Sequence, residues 1–425
     1  MKLVKKITPV IVALLATACS FSSTPNKQIK KGDYTILVYM CGSNLESDYA
    51  NQLTINSGGQ VYRWNGMGLA AMDLAEILDV ENKPNDVNIV IETGGAKKWT
   101  KSRFGKYGSY DINASKLQIH HVNNKNKIEL DKTFTYQSMG KSSTLQTFLE
   151  YGLKNYPAEK TALVLWNHGG GLQGVCFDEL SGDGLTAKEV TSAVDGALKA
   201  NNMEGQKLEW IGYDACLMGV QDIAELNSHY FNYMVASQQL EAGYGWEYNS
   251  WIDDVYAKKS TPEILEQICD SFIEYNNEWG EEYNDQTLSY YDLSQASSYL
   301  AAWDNLTTQL NDVVNSYTRN AFNSVMNNTK KFGDDAAYAY GLLDVGDFLN
   351  KLETSEMFAS SLNLEEMKTA LENFIPYSKV GAAAGNANGL SMYWTISQYT
   401  SYYNSYTKND TNFSSWVDFV DNYGA

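Results

Sequence analysis

Two hydrophobic runs in this 425-residue chain end in side chains that can do covalent chemistry. Thr161-Ala-Leu-Val-Leu-Trp166 runs into Asn167-His168-Gly169-Gly170-Gly171, and residues 208–213 run into Asp214-Ala215-Cys216-Leu217-Met218-Gly219. A thiol that attacks a carbonyl needs a base to form its thiolate and to return a proton to the leaving amine, and imidazole titrates in the right range. The glycines after His168 leave backbone N–H groups unobstructed, so the amides of Gly169 and Cys216 form a candidate oxyanion site. A helix starting near Met218 would aim its N-terminus at the thiol and lower its pKa. Taken singly, these features are ordinary: a lone His-Gly is more often a turn, and a lone strand cysteine more often core. At the ends of two strands they point to a Cys/His dyad.

For the dyad to form, the two strands must lie close together. Segments 34–40, 87–92, 161–166, 208–213 and 233–237 are short, continuous hydrophobic runs, as expected of strands buried on both faces. Amphipathic helical patterns occupy 69–81, 143–155, 186–200 and 218–228. The alternation predicts an α/β fold with a mostly parallel sheet flanked by helices. In such a sheet the C-terminal strand ends share one edge, where ligands bind, which brings His168 and Cys216 together. The β-rich segment 117–135 suits a hairpin or a sheet edge. Beyond residue 256 the texture changes to helical patterns at 262–279, 294–326 and 364–374 with strand-like 287–293 and 389–394. These form a C-terminal helical and β extension, residues 257–425, packed on a catalytic domain at 33–256.

The first eighteen residues read as an export signal, because Lys2, Lys5 and Lys6 precede an apolar run over 7–18 that is too short to span a bilayer. Its end, Leu15-Ala16-Thr17-Ala18-Cys19, resembles the bacterial lipobox, although Ala16 stands where leucine is commonest. That resemblance implies acylation of Cys19, a polar tether over 19–32, and a lipid-anchored protein of the bacterial cell envelope, outside the cytoplasm. The other four cysteines, Cys41, Cys176, Cys216 and Cys269, are widely spaced, with no C-x-x-C pair and no disulfide framework. A formal charge of −19 repels phosphate backbones, so nucleic acid is excluded as a partner. The chain is expected to be a monomer.

A hydrophobic strand ending in His-Gly, followed by a second ending in Asp-Ala-Cys-Leu-Met, resembles the clostripain family of cysteine peptidases, relatives of caspases and gingipains. Tyr39-Met-Cys-Gly-Ser-Asn-Leu-Glu46, Cys176-Phe-Asp-Glu-Leu-Ser-Gly-Asp183 and Ser237-Gln-Gln-Leu-Glu-Ala-Gly-Tyr-Gly-Trp246 extend the likeness. The resemblance implies a caspase-like fold and an endopeptidase acting on protein or peptide substrates through Cys216 and His168. It also implies cleavage after Arg or Lys, since the family's matching Asp lines the pocket for the basic side chain, here Asp214, with Glu241 able to share that role. If the chain is still extended at Asp214, that side chain and the thiol fall on one side. Family members are often activated by cutting themselves after a basic residue between the two motifs, an interval that here holds only Lys188, Lys199 and Lys207.

Other patterns carry less. Gly169-Gly-Gly-Leu-Gln-Gly174 satisfies G-x-G-x-x-G after a strand, but no helix pattern opens there as dinucleotide binding requires. The many Trp and Tyr would suit a glycan-binding protein, or an inactive member of the same fold, yet buried aromatics explain them equally well. Adjacent His120 and His121 point to opposite sides of a strand and cannot share a metal, so no metal and no other cofactor is required. The acidic loop Asp178, Glu179, Asp183 leaves calcium open, since some family members use it, although the EF-hand spacing is absent.

Overall fold

The computed structural model describes residues 30–48, 53–57, 60–64, 67–100, 111–278, 284–333, 341–394 and 412–424. Cys19 and most of the tether lie outside the described residues. Nine strands form the central sheet: β1 (Gly32–Cys41), β2 (Val87–Gly94), β3 (Lys116–Val122), β4 (Ile128–Thr135), β5 (Ala158–Trp166), β6 (Leu208–Asp214), β7 (Phe231–Ala236), β8 (Thr287–Asp292) and β9 (Tyr377–Val380). Their spatial order is β9-β8-β7-β6-β5-β1-β2-β3-β4. The five in the middle, β7 to β2, are parallel, and antiparallel pairs close both edges.

Burial on both faces explains why the middle strands read as unbroken hydrophobic runs. In β1, Leu37, Tyr39 and Cys41 enter one core while Ile36, Val38 and Met40 enter the other. The first face is covered by α3 (Ser142–Asn155), α4 (Ala187–Ala200) and α5 (Gln221–Ser228), the second by α2 (Leu69–Asp79), α6 (Tyr248–Tyr256) and α7 (Thr261–Glu278), with short α1 (Ser43–Ser47) at the end of β1. Thr186 and Glu189 close a reciprocal capping box that fixes where α4 begins.

The sheet continues beyond residue 256, because β8 pairs with β7 and β9 with β8. The remaining C-terminal chain folds as α8 (Ala296–Val313), α9 (Arg319–Asn328), α10 (Val345–Thr354), α11 (Glu365–Phe374) and α12 (Ser414–Gly424), with a small sheet of Lys331–Phe332, Leu342–Asp344 and Ser391–Tyr393. The helical pattern over 294–326 is two helices, since Val314 leaves α8 in an extended conformation and the side chains of Asn315 and Thr318 bond the intervening turn. No helix of the described residues is long and apolar enough to cross a membrane.

Candidate active site

Register brings three strand ends together: Met40 of β1 pairs with Trp166 of β5, which pairs with Asp214 of β6. Asn44, His168 and Cys216 follow these ends by four, two and two residues, so one sheet edge gathers all three. Asn167 ties this edge, donating to the Cys41 carbonyl (2.7 Å) and accepting from the Phe177 amide (2.7 Å). Gly169 is required by close approach, because a Cβ there would lie 2.2 Å from the Cys216 carbonyl oxygen. The loops bearing His168 and Cys216 therefore touch through backbone.

Both side chains line one cavity of about 220 Å³, together with Asp214, Glu241, Trp166 and Gly245. The Glu241 amide donates to Cys216 Sγ (3.2 Å), and the amides of Gly169 and Cys216 also face the sulfur. Burial, reinforced by the Glu241 carboxyl, pushes the thiol up to about 11 against the pull of those amides. Burial lowers His168, leaving the imidazole neutral. At rest the pair is thus a thiol and a neutral imidazole.

The helix expected to lower the Cys216 pKa begins later than the sequence suggests. Residues 215–217 turn, with Leu217 at φ +63°, and α5 starts only at Gln221. The turn also means that strand alternation stops at Asp214. Asp214 nevertheless reaches the cavity, where its carboxyl accepts from the Trp246 amide (3.3 Å) and the Tyr248 hydroxyl (2.7 Å). Gly245, at φ +62°, leaves it room, since a Cβ there would meet Asp214 Oδ1 at 2.9 Å. Burial pushes Asp214 up to about 7 and raises Glu241 well above the usual carboxylate range. Glu241 Oε1 is buried without a hydrogen-bond partner among the described residues.

The C-terminal region fixes the loop that carries Glu241. Gln238 donates to Asp344 Oδ2 (3.0 Å) and accepts from the Gly389 amide (2.7 Å), while the Ser391 amide bonds the Gly219 carbonyl (2.8 Å). Neither Gln238 nor Asp344 stands out in the sequence, because their roles arise from contacts across more than a hundred residues.

Asn44 is the site residue that sequence reasoning missed, although it stands inside the quoted run ending at Glu46. Its Oδ1 lies 2.8 Å from His168 Nε2, so Nε2–H donates and Nδ1 remains the basic nitrogen. Asn44→Ala should lower kcat by roughly ten- to a hundredfold, the cost of a loosened reacting geometry. Steady-state kinetics checks this, with KM unchanged if Asn44 only orients the imidazole.

The other sequence candidates do not line this cavity. His120 bonds Thr93 (3.2 Å), whereas His121 bonds Asp131 (2.6 Å) beside a polar hollow of about 480 Å³ near the start of β2. Cys41 and Cys176 are buried, and burial raises both thiols. The acidic loop does not present a calcium cage: Asp178 accepts from Tyr136, Met139, Leu180 and Ser181, Glu179 pairs with Lys97 (2.5 Å), and Asp183 accepts from its neighbour Gly184. Among the described residues no group of three or more such side chains could hold a metal ion.

Comparison with known proteins gives the fold and the family. Clostripain of Hathewaya histolytica is 26% identical over 354 residues, covering 72% of this chain and 67% of that protein. A secreted C11 cysteine protease from Bacteroides thetaiotaomicron, iotapain, superposes with a TM-score of 0.65 at 14% identity, covering 91% and 99% of the two chains. An inactive zymogen C11 protease from Parabacteroides distasonis gives 0.62 at 18% identity, again covering 91% and 99%. These two show the fold. The sequence profile of the clostripain family matches residues 64–423, most of the chain, and the protein therefore belongs to that family of cysteine peptidases.

Proposed function

We propose that the protein is an exported, lipid-anchored endopeptidase that cleaves after Arg or Lys, with Cys216 as nucleophile and His168 as base. The observation that carries this reading is a cavity in which two buried carboxyls, Asp214 and Glu241, lie beside the thiol. His168 Nδ1 takes the thiol proton, Sγ bonds the scissile carbonyl carbon, and the amides of Gly169 and Cys216 receive the oxyanion. The imidazolium gives its proton to the leaving amine, and water then hydrolyses the thioester. Asp214 and Glu241 pair with the guanidinium or ammonium before the cut bond. Hydrolysis of matched peptides ending in Arg, Lys, Gln and Leu tests the assignment, and equal rates on all four would refute it. For self-processing the favoured place is the loop between α4 and β6, where Lys207 is exposed. Lys199 lies in the last turn of α4 and pairs with Asp195 (2.7 Å), and Lys188 lies in its first turn.

Membrane attachment rests on the lipobox-like run ending at Cys19. A labelled fatty acid fed to cells should mark the wild type and leave Cys19→Ser unmarked. Equal labelling of both, or release of soluble wild-type protein, contradicts the anchor.

A further inference from the structure

Beneath the cavity the acidic side chains do not stop at Asp214 and Glu241. Helix α2 turns Asp73 and Glu76, three residues apart and so on one face, toward the same floor. Trp166, which lines the cavity, donates its indole N–H to Asp73 Oδ2 (2.5 Å). Tyr248 bridges the layers, with its hydroxyl on Asp214 Oδ2 (2.7 Å) and its amide on Glu76 Oε2 (2.9 Å). Tyr275 of α7 adds a bond to Glu76 (3.2 Å), and buried Glu46 of α1 accepts from Ala71 and Thr100. Glu247, just before α6, adds its negative charge near Glu76.

No lysine or arginine of the described residues pairs with Glu46, Asp73, Glu76, Asp214 or Glu241. Several carboxylates at close quarters in a dry environment cannot all be ionised without a counterion. Glu241 Oε1, buried and unpartnered beside the cavity, is where the missing partner would be felt first.

We infer that Asp73 and Glu76 are specificity-determining positioning residues, which together with Asp214 and Glu241 store protons that a cationic substrate side chain displaces on entering the pocket. The inference rests on the basic-residue reading of that pocket. The guanidinium or ammonium supplies the absent cation, the carboxyls ionise, and the released proton passes to the buffer. Burial raises Asp73, Glu76, Asp214 and Glu241, and repulsion from acidic neighbours adds to it for Asp73, Glu76 and Glu241, in agreement with protons being held in the empty pocket at neutral pH. Discrimination then has two sources, since a neutral side chain neither pairs with the cluster nor discharges it.

Calorimetry on full-length Cys216→Ala protein, which cannot turn over, tests this with a peptide ending in arginine amide and its neutral citrulline counterpart. Titrations at pH 7 in phosphate and in Tris, whose ionisation heats differ, report protons exchanged per peptide bound. The expected result is net release with the arginine peptide and none with citrulline, and an arginine Kd that tightens roughly tenfold between pH 6 and pH 8. Adding Asp73→Asn or, as an independent second variant, Glu76→Gln should reduce the release and flatten that pH profile. Equal heats in both buffers for a bound arginine peptide would overturn the proton exchange while leaving the pocket's preference intact. Unchanged release in both variants would confine the store to Asp214 and Glu241 and remove α2 from it. Equal affinity for arginine and citrulline would refute the basic pocket itself.

Discussion

Cys216→Ala protein is expected to fold normally and to lose at least about 10⁴-fold in kcat/KM, as is His168→Ala. Neither side chain is a major support of the fold, because Cys216 is partly exposed and, among the described residues, His168 makes a single side-chain hydrogen bond, to Asn44. The sharp loss follows from the resting state. With the thiol held up near 11, the loss of the neutral imidazole removes the base assigned to take its proton when the carbonyl arrives. Undiminished cleavage by purified Cys216→Ala protein would sink the assignment. The same variant decides processing by intact mass: self-cutting predicts two fragments from wild type and one chain from Cys216→Ala, whereas a single intact chain from active wild type shows that cleavage is not required.

Asp214→Asn should cost two to three orders of magnitude in kcat/KM on peptides ending in Arg or Lys, and little on Gln or Leu. The estimate follows from leaving a desolvated cation without its ionic partner, roughly 3–4 kcal/mol. Asparagine keeps the shape and can still accept from Tyr248 and Trp246, so the change is one of charge. Stability gives the control. Asp214 is raised from 3.8 to about 7, so its contribution to folding is complete below pH 4 and lost as the pH climbs through 7. At pH 8 the variant should therefore melt no lower than wild type. An equal loss on all four peptides with a lowered Tm would make Asp214 a support of the fold instead.

What the sequence disclosed follows from how local each signal is. Strands buried on both faces write themselves as hydrophobic runs, so β1, β2, β5, β6 and β7 were legible, whereas the glycines after His168 were read only as freeing backbone N–H groups, and the close approach that Gly169 makes depends on a contact the sequence does not show. The segments that follow β5 and β6, legible with those strands, bring His168 and Cys216 to one cavity. The start of α5 was misjudged because Leu217 adopts a left-handed conformation that hydrophobicity does not encode, and the turn it makes delays the helix to Gln221. Asn44 escaped notice since an asparagine in a short helix after a strand is commonplace, and its value lies in a partner 124 residues away. The pairing of β8 and β9 with the main sheet depends on contacts 53 to 93 residues apart, and a change of texture near residue 256 concealed it.

The parallel strands have a consequence for where an anchored enzyme can work. Chain entry at Gly32 and the dyad lie at opposite ends of β1, whose ten residues span about 33 Å. In a chain acylated at Cys19, that strand acts as a spacer and the segment before it as a leash, reaching at most about 45 Å when fully extended. The thiol would open away from the leash, toward the solvent beyond the membrane surface that holds it. Polypeptides drifting there would meet it without hindrance, while a neighbouring membrane protein would be at risk only in loops tall enough to clear the body of the enzyme.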